Sequence, residues 1–517
     1  MVRAGLVAAA CFANWTLNPD YLPLHPLLYE LNARCWLLEL SSQHGQAIHL
    51  GNVPEVEFQT WQRLGFTHIW LMGIWTTCSR AREFALTDPS LVQSSRQALP
   101  DWTPEDVTGS PYALAEYQVP SHLGGEEGLR KFRHRLNEHG LKLILDFVPN
   151  HTGISHPWVR MRPELYVQAT PGTPDTFATD TGLGVFWVAH GKDPFFPAWR
   201  DTAQLDYRRA DTQAVMREVL RSVAARCDGV RCDMAMLILE DVFAKTWETC
   251  PAKGTPARGE FWTTAIAEVR EARPDFLFVA EVYWDLEQNL QGMGFDYTYD
   301  KWLYDHLAND NYAETQVHLL DLPSEFIRRS VHFLENHDEQ RASRQFSLDE
   351  HRAAALLSLG LPGMRLVHHG QLQGARTRLP VQLGRRPSEP PDPELTRFYE
   401  RLLGALREHS VGRGEFAILR PRSAWSENTS DHCFVIVQWQ SSPDAFDLVV
   451  VNLAAQSSQC YVTPTVPGLA RREWVMKDLL GEEKFWRHGH EMQQRGLYLA
   501  VPPRAAQLFH FSPARSA

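Results

Sequence analysis

Short apolar runs that read as strands alternate with helical patterns from about residue 33 to residue 407, and this alternation constrains the fold more than any other feature. Strands alternating with helices are typical of a parallel sheet whose faces are covered by those helices. The predicted strands are Ala33–Leu40, His68–Met72, Leu141–Phe147, Gly229–Asp233, Phe276–Glu281, Phe295–Tyr297, Val331–Glu335 and Met364–His368. Eight such strands predict an α/β protein built on a closed (β/α)8 TIM barrel. The alternative is an open doubly wound sheet, but no glycine-rich dinucleotide fingerprint follows an early strand.

Three segments depart from the alternation and set the predicted domain boundaries. Residues 1–30 are rich in Pro, Leu and Tyr and are interpreted as an irregular lead-in to a barrel of residues 31–410. Residues 152–205 hold many Pro, Gly, Thr and Trp with little periodicity, which predicts an irregular subdomain inserted after the third strand. Residues 411–517 contain strand-like runs separated by turns, with little helix, which predicts a C-terminal all-β sandwich.

Two further segments contain many turn-forming residues. Residues 78–120 are interpreted as a long insertion between strands. Residues 371–392 carry arginines and a run of prolines after the eighth strand. This second segment could cover the mouth of the barrel, but a solvated loop is the simpler interpretation.

Composition and charge exclude several classes of protein. The net charge of -11 argues against a nucleic-acid-binding surface. No segment approaches 18 uninterrupted apolar residues, so the sequence predicts no membrane-spanning helix. The eight cysteines form no CxxC pair and no zinc-binding spacing with histidine, which indicates free thiols in a reducing compartment.

These observations predict a cytoplasmic protein whose partners are neither nucleic acid nor membrane. Residues 1–11 resemble a short export signal, so secretion remains the alternative. Nothing in the sequence indicates an oligomeric state.

Carboxylates follow several of the predicted strands, among them Asp146, Asp233, Glu281 and Asp338. In a barrel, the carboxyl ends of the strands meet at one rim, where active sites are built. Acids that share one rim repel each other, so their recurrence there indicates function rather than stability. Arg231 lies two residues before Asp233, on the same face of the strand, and should lower the pKa of that carboxylate.

A pair of carboxylates in different environments suits the cleavage of an acetal. One carboxylate must stay ionised to attack the anomeric carbon, and Asp233 beside Arg231 fits that part. The other must hold a proton for the leaving oxygen. Glu281 follows an apolar strand and precedes two aromatic residues, so desolvation is expected to favour its protonated form.

Four segments that end on these acids resemble the conserved regions of glycoside hydrolase family 13, the α-amylase family, in their order and spacing. The segments are Asp146–His151, Gly229–Asp233, Ala280–Val282 and Phe333–Asp338. The segment Gly109–Tyr112, then Tyr117 and Leu123–Gly125, is similar to the region after that family's second strand. The resemblance implies that the inserted subdomain and the C-terminal sandwich are those of the family.

The resemblance implies a retaining mechanism on α-glucosidic bonds. It assigns Asp233 as the nucleophile, Glu281 as the general acid and then base, and Asp338 as the group that stabilises the distorted sugar. The predicted substrate-binding residues are Tyr112, which would stack on the sugar, Arg231, which orients the nucleophile, His151 and His337, which hold sugar hydroxyls, and Trp284. Asp146 is expected to form hydrogen bonds within the barrel instead.

The sequence departs from the family at two places. Met236 and Leu237 stand where the family often has a Lys-His pair that binds the leaving side of a glucan. Gln204 stands where amylases often have a calcium-binding aspartate, although Asn150 matches another calcium ligand. Because calcium prefers several charged oxygens, the sequence predicts no metal site and no cofactor, with calcium as the alternative.

Three functions follow from these residues. The first is hydrolysis of α-glucans or maltooligosaccharides through a covalent glycosyl-enzyme. The second is transfer or isomerisation by the same chemistry, as in a glucanotransferase, a maltosyltransferase or a trehalose synthase. The third is a catalytically inactive sugar-binding protein, which the presence of all three carboxylates disfavours. Linkage and chain length are not indicated.

Overall fold

The computed structural model describes residues 25–182 and 184–514, and its first domain is a closed barrel of eight parallel strands. Each strand pairs with its neighbours in sequence, and the first strand closes the barrel against the eighth, with Leu27 opposite Arg365. The strands are Leu27–Asn32, His68–Met72, Lys142–Phe147, Gly229–Cys232, Leu277–Ala280, Tyr297–Tyr299, Ser330–His332 and Met364–His368. The predicted TIM barrel is therefore confirmed.

Helices cover the outside of this barrel and bury apolar faces against it. Helices of this domain include Ala33–His44, Glu55–Leu64, Gly125–Glu138, Ala210–Ala224, Phe261–Ala272, Lys301–Ala308, Tyr312–Asp321, Leu348–Gly360 and Pro393–Glu408. The other helices in the described part of the chain are Ser79–Thr87, Pro89–Ala98, Pro157–Met161, Glu240–Thr246, Glu287–Gly292, Ser324–Arg328, Ala342–Gln345 and Gly489–Gln494.

The prediction of a first strand at Ala33–Leu40 is wrong, because those residues belong to a helix. Asn32 caps the helix by accepting a hydrogen bond from the backbone N–H of Cys35 at 3.3 Å, and Gly45 ends it with a left-handed φ of 63°. The buried apolar residues of the segment recur at helical spacing, so they face the barrel along one stripe. The true first strand, Leu27–Asn32, begins inside the predicted lead-in.

The later strands lie close to their predicted positions. The sixth strand is displaced by two residues, to Tyr297–Tyr299, because its ladder pairs Thr298 with Ser330 and not the preceding turn. The seventh ends at His332, so the predicted Phe333–Glu335 stretch lies beyond the ladder.

The segments 78–120 and 371–392 pack against each other. The backbone N–H of Thr108 donates to the Gln382 carbonyl at 2.8 Å, and Gly384 N–H donates to the Asp106 carbonyl at 2.7 Å. Leu383 is fully buried between the two segments. The interpretation of residues 371–392 as a solvated loop is therefore wrong.

The inserted subdomain contains a three-stranded sheet of Gln168–Ala169, Val185–Ala189 and Thr176–Asp180. A second small sheet pairs Thr202–Gln204 with His151–Gly153. This antiparallel pair begins and ends the subdomain, so it fixes the insertion on the rim of the barrel directly beside the third strand.

The C-terminal domain consists of a six-stranded and a three-stranded antiparallel sheet. The strands of the larger sheet, in spatial order, are Glu415–Leu419, Phe434–Ser442, Ala445–Asn452, Ala506–Pro513, Glu473–Asp478 and Lys484–His488. The smaller sheet contains Arg422–Ser423, Ser458–Val462 and Leu497–Val501. The indole N–H of Trp439 donates to the Gly360 carbonyl at 2.8 Å, which joins this domain to the barrel.

Two composition-based predictions concern the whole chain. The seven cysteines among the described residues are buried and free, as expected, whereas Cys11 lies outside the described residues, together with the resemblance to an export signal in residues 1–11. Within the described part of the chain, no helix combines the length and the apolar character needed to cross a membrane.

Candidate active site

Arg231 lies at the centre of a cluster of carboxylates at the carboxyl ends of the barrel strands. Its Nη1 atom is 2.8 Å from Asp233 Oδ1 and 3.4 Å from Asp146 Oδ1, and its Nη2 atom is 2.6 Å from Glu281 Oε2. The guanidinium is almost fully buried and lies 5.3 Å from the ring centroid of Tyr112. One cation therefore serves three buried acids, two of which are the predicted catalytic pair.

The register of the barrel places Asp233 beside Glu281. Cys232 on the fourth strand is opposite Ala280 on the fifth, so the two acids that follow these residues leave the sheet side by side. The backbone N–H of Asp233 donates to the Phe147 carbonyl at 2.9 Å, and this contact ties the turn to the third strand.

The prediction that Arg231 would lower the pKa of Asp233 is wrong in its net direction. Burial raises the pKa of Asp233 to about 7; the Arg231 guanidinium opposes this shift, and the Glu281 carboxylate adds to it. A single guanidinium does not offset the burial of several neighbouring acids. The Asp233 carboxyl group therefore titrates near neutral pH.

Glu281 has more partners than the sequence indicated. Besides Arg231, its Oε2 accepts from the backbone N–H of Met234 at 2.7 Å, and its Oε1 accepts from the Tyr283 hydroxyl at 2.8 Å. Met234 reaches this position with a left-handed φ of 43°. Such strain in a residue without a glycine's freedom is characteristic of functional sites. Glu281 is thus held in a fixed orientation rather than left in an apolar pocket.

Asp338 lies on the open side of the cluster, with 46% of its side chain exposed. Its Oδ2 is 3.0 Å from His337 Nε2, and the other ring nitrogen, Nδ1, is 2.5 Å from Glu30 Oε1. Burial opposes a charged imidazole, but the Asp338 and Glu30 carboxylates raise the pKa of His337 well above its usual range. The pairing with His337 in turn lowers the pKa of Asp338, against the effect of partial burial.

Tyr112 connects Asp338 to the rest of the cluster. Its hydroxyl lies 2.8 Å from His337 Nε2, and its ring stacks on the imidazole with centroids 5.4 Å apart. Burial raises the pKa of the Tyr112 phenol, and the nearby Asp146, Asp338 and Asp233 carboxylates act in the same direction. The structure thus brings the three predicted catalytic acids around one tyrosine and one arginine.

His151 and Trp284 lie toward the inserted subdomain. Burial lowers the pKa of His151 to about 4, so this imidazole is neutral at pH 7, and its ring centroid lies 5.2 Å from that of Trp199. Trp284 follows Glu281 by three residues with a left-handed φ of 66°. Its ring meets Phe195, which is 67% exposed, edge to face at 4.9 Å. Trp284 and Phe195 thus form an aromatic pair between the barrel and the subdomain.

Asp146 lies within the barrel, as expected, where its Oδ2 accepts from the Trp70 indole N–H at 3.1 Å. Met236 and Leu237 are buried in a short helical turn, Ala235–Ile238. Their side chains join the barrel core, so these two positions present no charge to a ligand.

The residues at the family's calcium position do not fit a cation. The Gln204 amide Nε2 donates to the Asn150 backbone carbonyl at 2.8 Å, to Asn150 Oδ1 at 2.9 Å and to the Leu205 carbonyl at 3.1 Å. Calcium prefers oxygen ligands, whereas the two hydrogens of this amide are directed into the same group of oxygens and share them. Gln204 is fully buried, so the hydrogen bonds are well shielded from water.

Sequence reasoning missed three residues of this site. Glu30 was hidden in the predicted lead-in, although the pattern of apolar residues in 27–32 could have revealed a strand. Tyr283 follows Glu281 by two residues, and that spacing was a usable signal for a shared face. Phe195 had no signal, because only the folded subdomain brings it to Trp284.

A closed parallel barrel that gathers carboxylates at the carboxyl ends of its strands defines a class of barrel enzymes whose chemistry lies at that rim. A family model described as "Alpha amylase, catalytic domain" matches residues 58–389. The chain therefore belongs to the alpha-amylase family of glycoside hydrolases, and the resemblance seen in the sequence is confirmed.

Two alpha-amylases from other organisms align with about half of this chain. Alpha-amylase 3 of Dictyoglomus thermophilum is 22% identical over 298 residues, and the match covers 52% of this chain and 55% of that protein. Alpha-amylase MalA of Haloarcula japonica is 22% identical over 269 residues, which are 51% of this chain and 36% of that protein. The chain thus matches about half or less of the length of these two relatives.

Solved structures match over nearly the whole chain. A maltogenic alpha-amylase from Thermotoga neapolitana aligns with a TM-score of 0.66 and 18% identity, covering 95% of this chain and 99% of that one. An alpha-amylase from Geobacillus thermoleovorans, solved with acarbose, aligns with a TM-score of 0.63 and 16% identity, covering 95% and 99%. At these identities the likeness shows the fold.

Proposed function

We propose that the chain is a retaining α-glycosidase that acts on α-glucans or maltooligosaccharides through a covalent glycosyl-enzyme. The observation that carries the proposal is the single guanidinium of Arg231, which holds Asp233 on one nitrogen and Glu281 on the other. Retaining enzymes keep their two carboxyl groups about 5–5.5 Å apart, whereas inverting enzymes need room for a water molecule between acid and base. Two acids on one guanidinium favour the close arrangement.

In the first step, Asp233 attacks the anomeric carbon while Glu281 donates a proton to the leaving oxygen. Burial raises the pKa of Asp233, so the mechanism requires that Asp233 lose its proton before attack and that Glu281 carry the proton it donates. The Arg231 guanidinium, which contacts both acids, stabilises whichever one is ionised. In the second step, Glu281 takes a proton from water, and that water releases the sugar from Asp233.

The side chains around Asp233 and Glu281 also have roles in this proposal. Asp338, held ionised by His337, places a negative charge on the open side, where an oxocarbenium-like sugar would develop positive charge. The exposed Phe195 and the neighbouring Trp284 offer apolar faces to a sugar chain that enters past the subdomain.

A trapping experiment tests the mechanism. A slow fluorinated α-glucosyl substrate should label Asp233, as read by peptide mass spectrometry, and the first product should keep the α configuration by NMR. Tyr283→Phe is a matched control, because it removes only one hydrogen bond to Glu281 and should still be labelled. A first product with inverted configuration, or a label on another residue, would contradict the proposal.

Transfer to a sugar acceptor is the second candidate function. The buried, apolar Met236 and Leu237 favour it, because the family's charged pair on the leaving side is absent from these positions. Incubation with maltooligosaccharides distinguishes the two reactions. Products longer than the substrate, or trehalose formed from maltose, would indicate transfer or isomerisation, and only shorter products would indicate hydrolysis.

We propose in addition that catalysis needs no calcium. The Gln204 amide supplies the hydrogen bonds that join Asn150 to the end of the subdomain, a connection for which a bound cation is then not required.

An inactive sugar-binding protein remains the third candidate. It would be favoured if wild type and Asp233→Asn showed the same negligible turnover on a panel of α-glucosides.

A further inference from the structure

Two histidines and an aspartate converge where the last helix of the barrel domain meets the large sheet of the sandwich. His409 follows the helix Pro393–Glu408, whereas Asp447 and His510 lie opposite each other on neighbouring strands. The backbone N–H of His25 donates to the Gly412 carbonyl at 2.9 Å, just before the first barrel strand begins. The cluster therefore lies toward the amino-terminal end of the barrel, remote from the catalytic rim.

The ligand atoms of this cluster have the spacing of a metal site. His510 Nδ1 is 2.7 Å from Asp447 Oδ1, and His409 Nδ1 is 3.2 Å from His510 Nδ1 and 3.8 Å from Asp447 Oδ1. A tetrahedral zinc ion with bonds of about 2.0–2.1 Å holds its ligand atoms about 3.3 Å apart. The three observed distances lie on both sides of that value, so small side-chain rotations would complete the site.

Hydrogen bonds alone do not satisfy these three atoms well. If His510 Nδ1 carries the proton, it donates to Asp447 Oδ1, and the facing His409 Nδ1 shares that one proton at a longer distance. If His409 carries it toward His510, two lone pairs face each other over 2.7 Å between His510 and Asp447. A cation accepts a lone pair from each of the three atoms at once.

The burial of the aspartate strengthens this reading. Asp447 is fully buried, and its Oδ2 accepts from the Ser410 backbone N–H at 2.6 Å, which directs Oδ1 toward the histidines. His409 and His510 keep 21% and 23% of their side chains exposed, so an ion and a water ligand could reach them from solvent. The three side chains would thus supply three ligands, and the fourth position of a tetrahedral site would face solvent.

We propose that His409, Asp447 and His510 bind one zinc ion, which joins the barrel to the sandwich. Imidazole nitrogens with one carboxylate suit zinc, whereas calcium and magnesium prefer oxygen ligands throughout. Lys477 pairs with His510 across the sheet and adds positive charge nearby. We therefore expect micromolar rather than nanomolar affinity. The site is independent of the proposed glycosidase function, because no catalytic residue contributes to it.

Calorimetric titration of chelator-treated, dialysed full-length protein with zinc chloride tests the proposal. Wild type should bind one equivalent, and saturating zinc should raise its melting temperature by a few degrees. His409→Ala and His510→Ala should each bind at least about tenfold more weakly. His44→Ala, which removes an exposed histidine at the end of another helix, is the matched control and should bind as wild type does.

Circular dichroism of each variant shows whether it is folded, and cobalt(II) supplies a readout that needs no variant. Cobalt in a tetrahedral site of two nitrogens and one carboxylate gives visible absorption bands that zinc then displaces. Equal zinc affinity in His409→Ala, His510→Ala and wild type would overturn the proposal. So would wild type that binds no zinc below about 100 µM or develops no such bands with cobalt. Calcium chloride should give no heat above dilution.

Discussion

Two buried aspartates at the ends of barrel strands differ sharply in their surroundings. Asp233 follows the fourth strand and shares one guanidinium with Asp146 and Glu281, so its pKa is raised to about 7 by burial, with Glu281 adding to the effect. Asp300 follows the sixth strand and has His318 and His332 to itself, at 3.2 and 3.3 Å.

Asp300 is a satisfied structural group. Its Oδ1 also caps the helix Lys301–Ala308 by accepting from the Leu303 backbone N–H at 3.0 Å. Burial alone would raise the pKa of Asp300, but the two histidines outweigh it and hold the pKa below its usual range. A place at a strand end therefore does not define a catalytic acid. The number of carboxylates that share each cation distinguishes the two.

The largest expected effect is on turnover. Asp233→Asn removes the proposed nucleophile, so kcat on α-glucosides should fall by at least about 10³-fold, or about 4 kcal/mol of transition-state stabilisation. Asp300→Asn is the matched change at another strand end and should keep kcat within about tenfold of wild type, measured per folded molecule. Similar losses of kcat in both variants would mean that the different surroundings of the two aspartates do not identify the catalytic one.

The second expected effect is on stability, where Asp300→Asn should be the more damaging of the two substitutions. Asp300→Asn leaves two histidines beside a neutral amide, so the free energy of unfolding at pH 7 should fall by about 2–4 kcal/mol. Asp233→Asn removes one of several crowded carboxylates and should leave stability equal to wild type or higher. Urea denaturation followed by circular dichroism measures both. A large loss of stability in Asp233→Asn would make that acid structural.

The dependence of stability on pH should have opposite signs at the two sites. The pKa of Asp233 rises from about 3.9 in the unfolded chain to about 7 in the folded protein. The folded state thus binds the extra proton, and stability falls as pH rises through this interval. Asp233→Asn should therefore be more stable than wild type by about 1–3 kcal/mol at pH 8 and equal to it near pH 4.

Asp300 behaves in the opposite way because its folded pKa is lowered. Its contribution is fully present above the unfolded pKa of about 3.9 and is lost as pH falls further toward the folded pKa. The stability gap between wild type and Asp300→Asn should thus be wide at pH 6 and close below about pH 4. Unfolding curves at four or five pH values check both gaps, and gaps that close in the same direction would contradict the charge argument.

The comparison also shows what the sequence could predict. The strand ends with Asp233, Glu281 and Asp338 were found because apolar runs are short and parallel strand ends must meet at one rim. The first strand was misplaced, since the apolar residues of Ala33–Leu40 fit a helix with a cap at Asn32 just as well. The local sequence shows where apolar residues lie, but tertiary packing decides whether such a segment forms a strand or a helix.

Contacts between charged side chains on different strands could not be predicted from the local sequence. The spacing of Arg231 and Asp233 shows that both lie on one face, but the contact of Arg231 with Glu281 depends on the register between the fourth and fifth strands. The sign of the Asp233 pKa shift was missed because it depends mainly on how deeply the folded barrel buries this carboxylate, with Glu281 adding to the effect. His337 was predicted at the site, yet its clamp between Asp338 and Glu30 required the first strand, which the sequence interpretation had placed elsewhere.

The smallest expected effect concerns calcium, at a third position on the rim. Because the Gln204 amide already donates to both oxygens of Asn150, millimolar calcium should change neither the melting temperature nor kcat of metal-free wild type. Gln204→Asp replaces those donors with an acceptor that faces two other oxygens. It should lower stability by about 1–3 kcal/mol, and added calcium should recover part of the loss because it supplies the missing positive charge. Gln204→Leu is the control, since it loses the same hydrogen bonds but offers no ligand and should not respond to calcium. A calcium-dependent rise in the melting temperature of wild type would show that a cation, and not the amide, completes this corner of the rim.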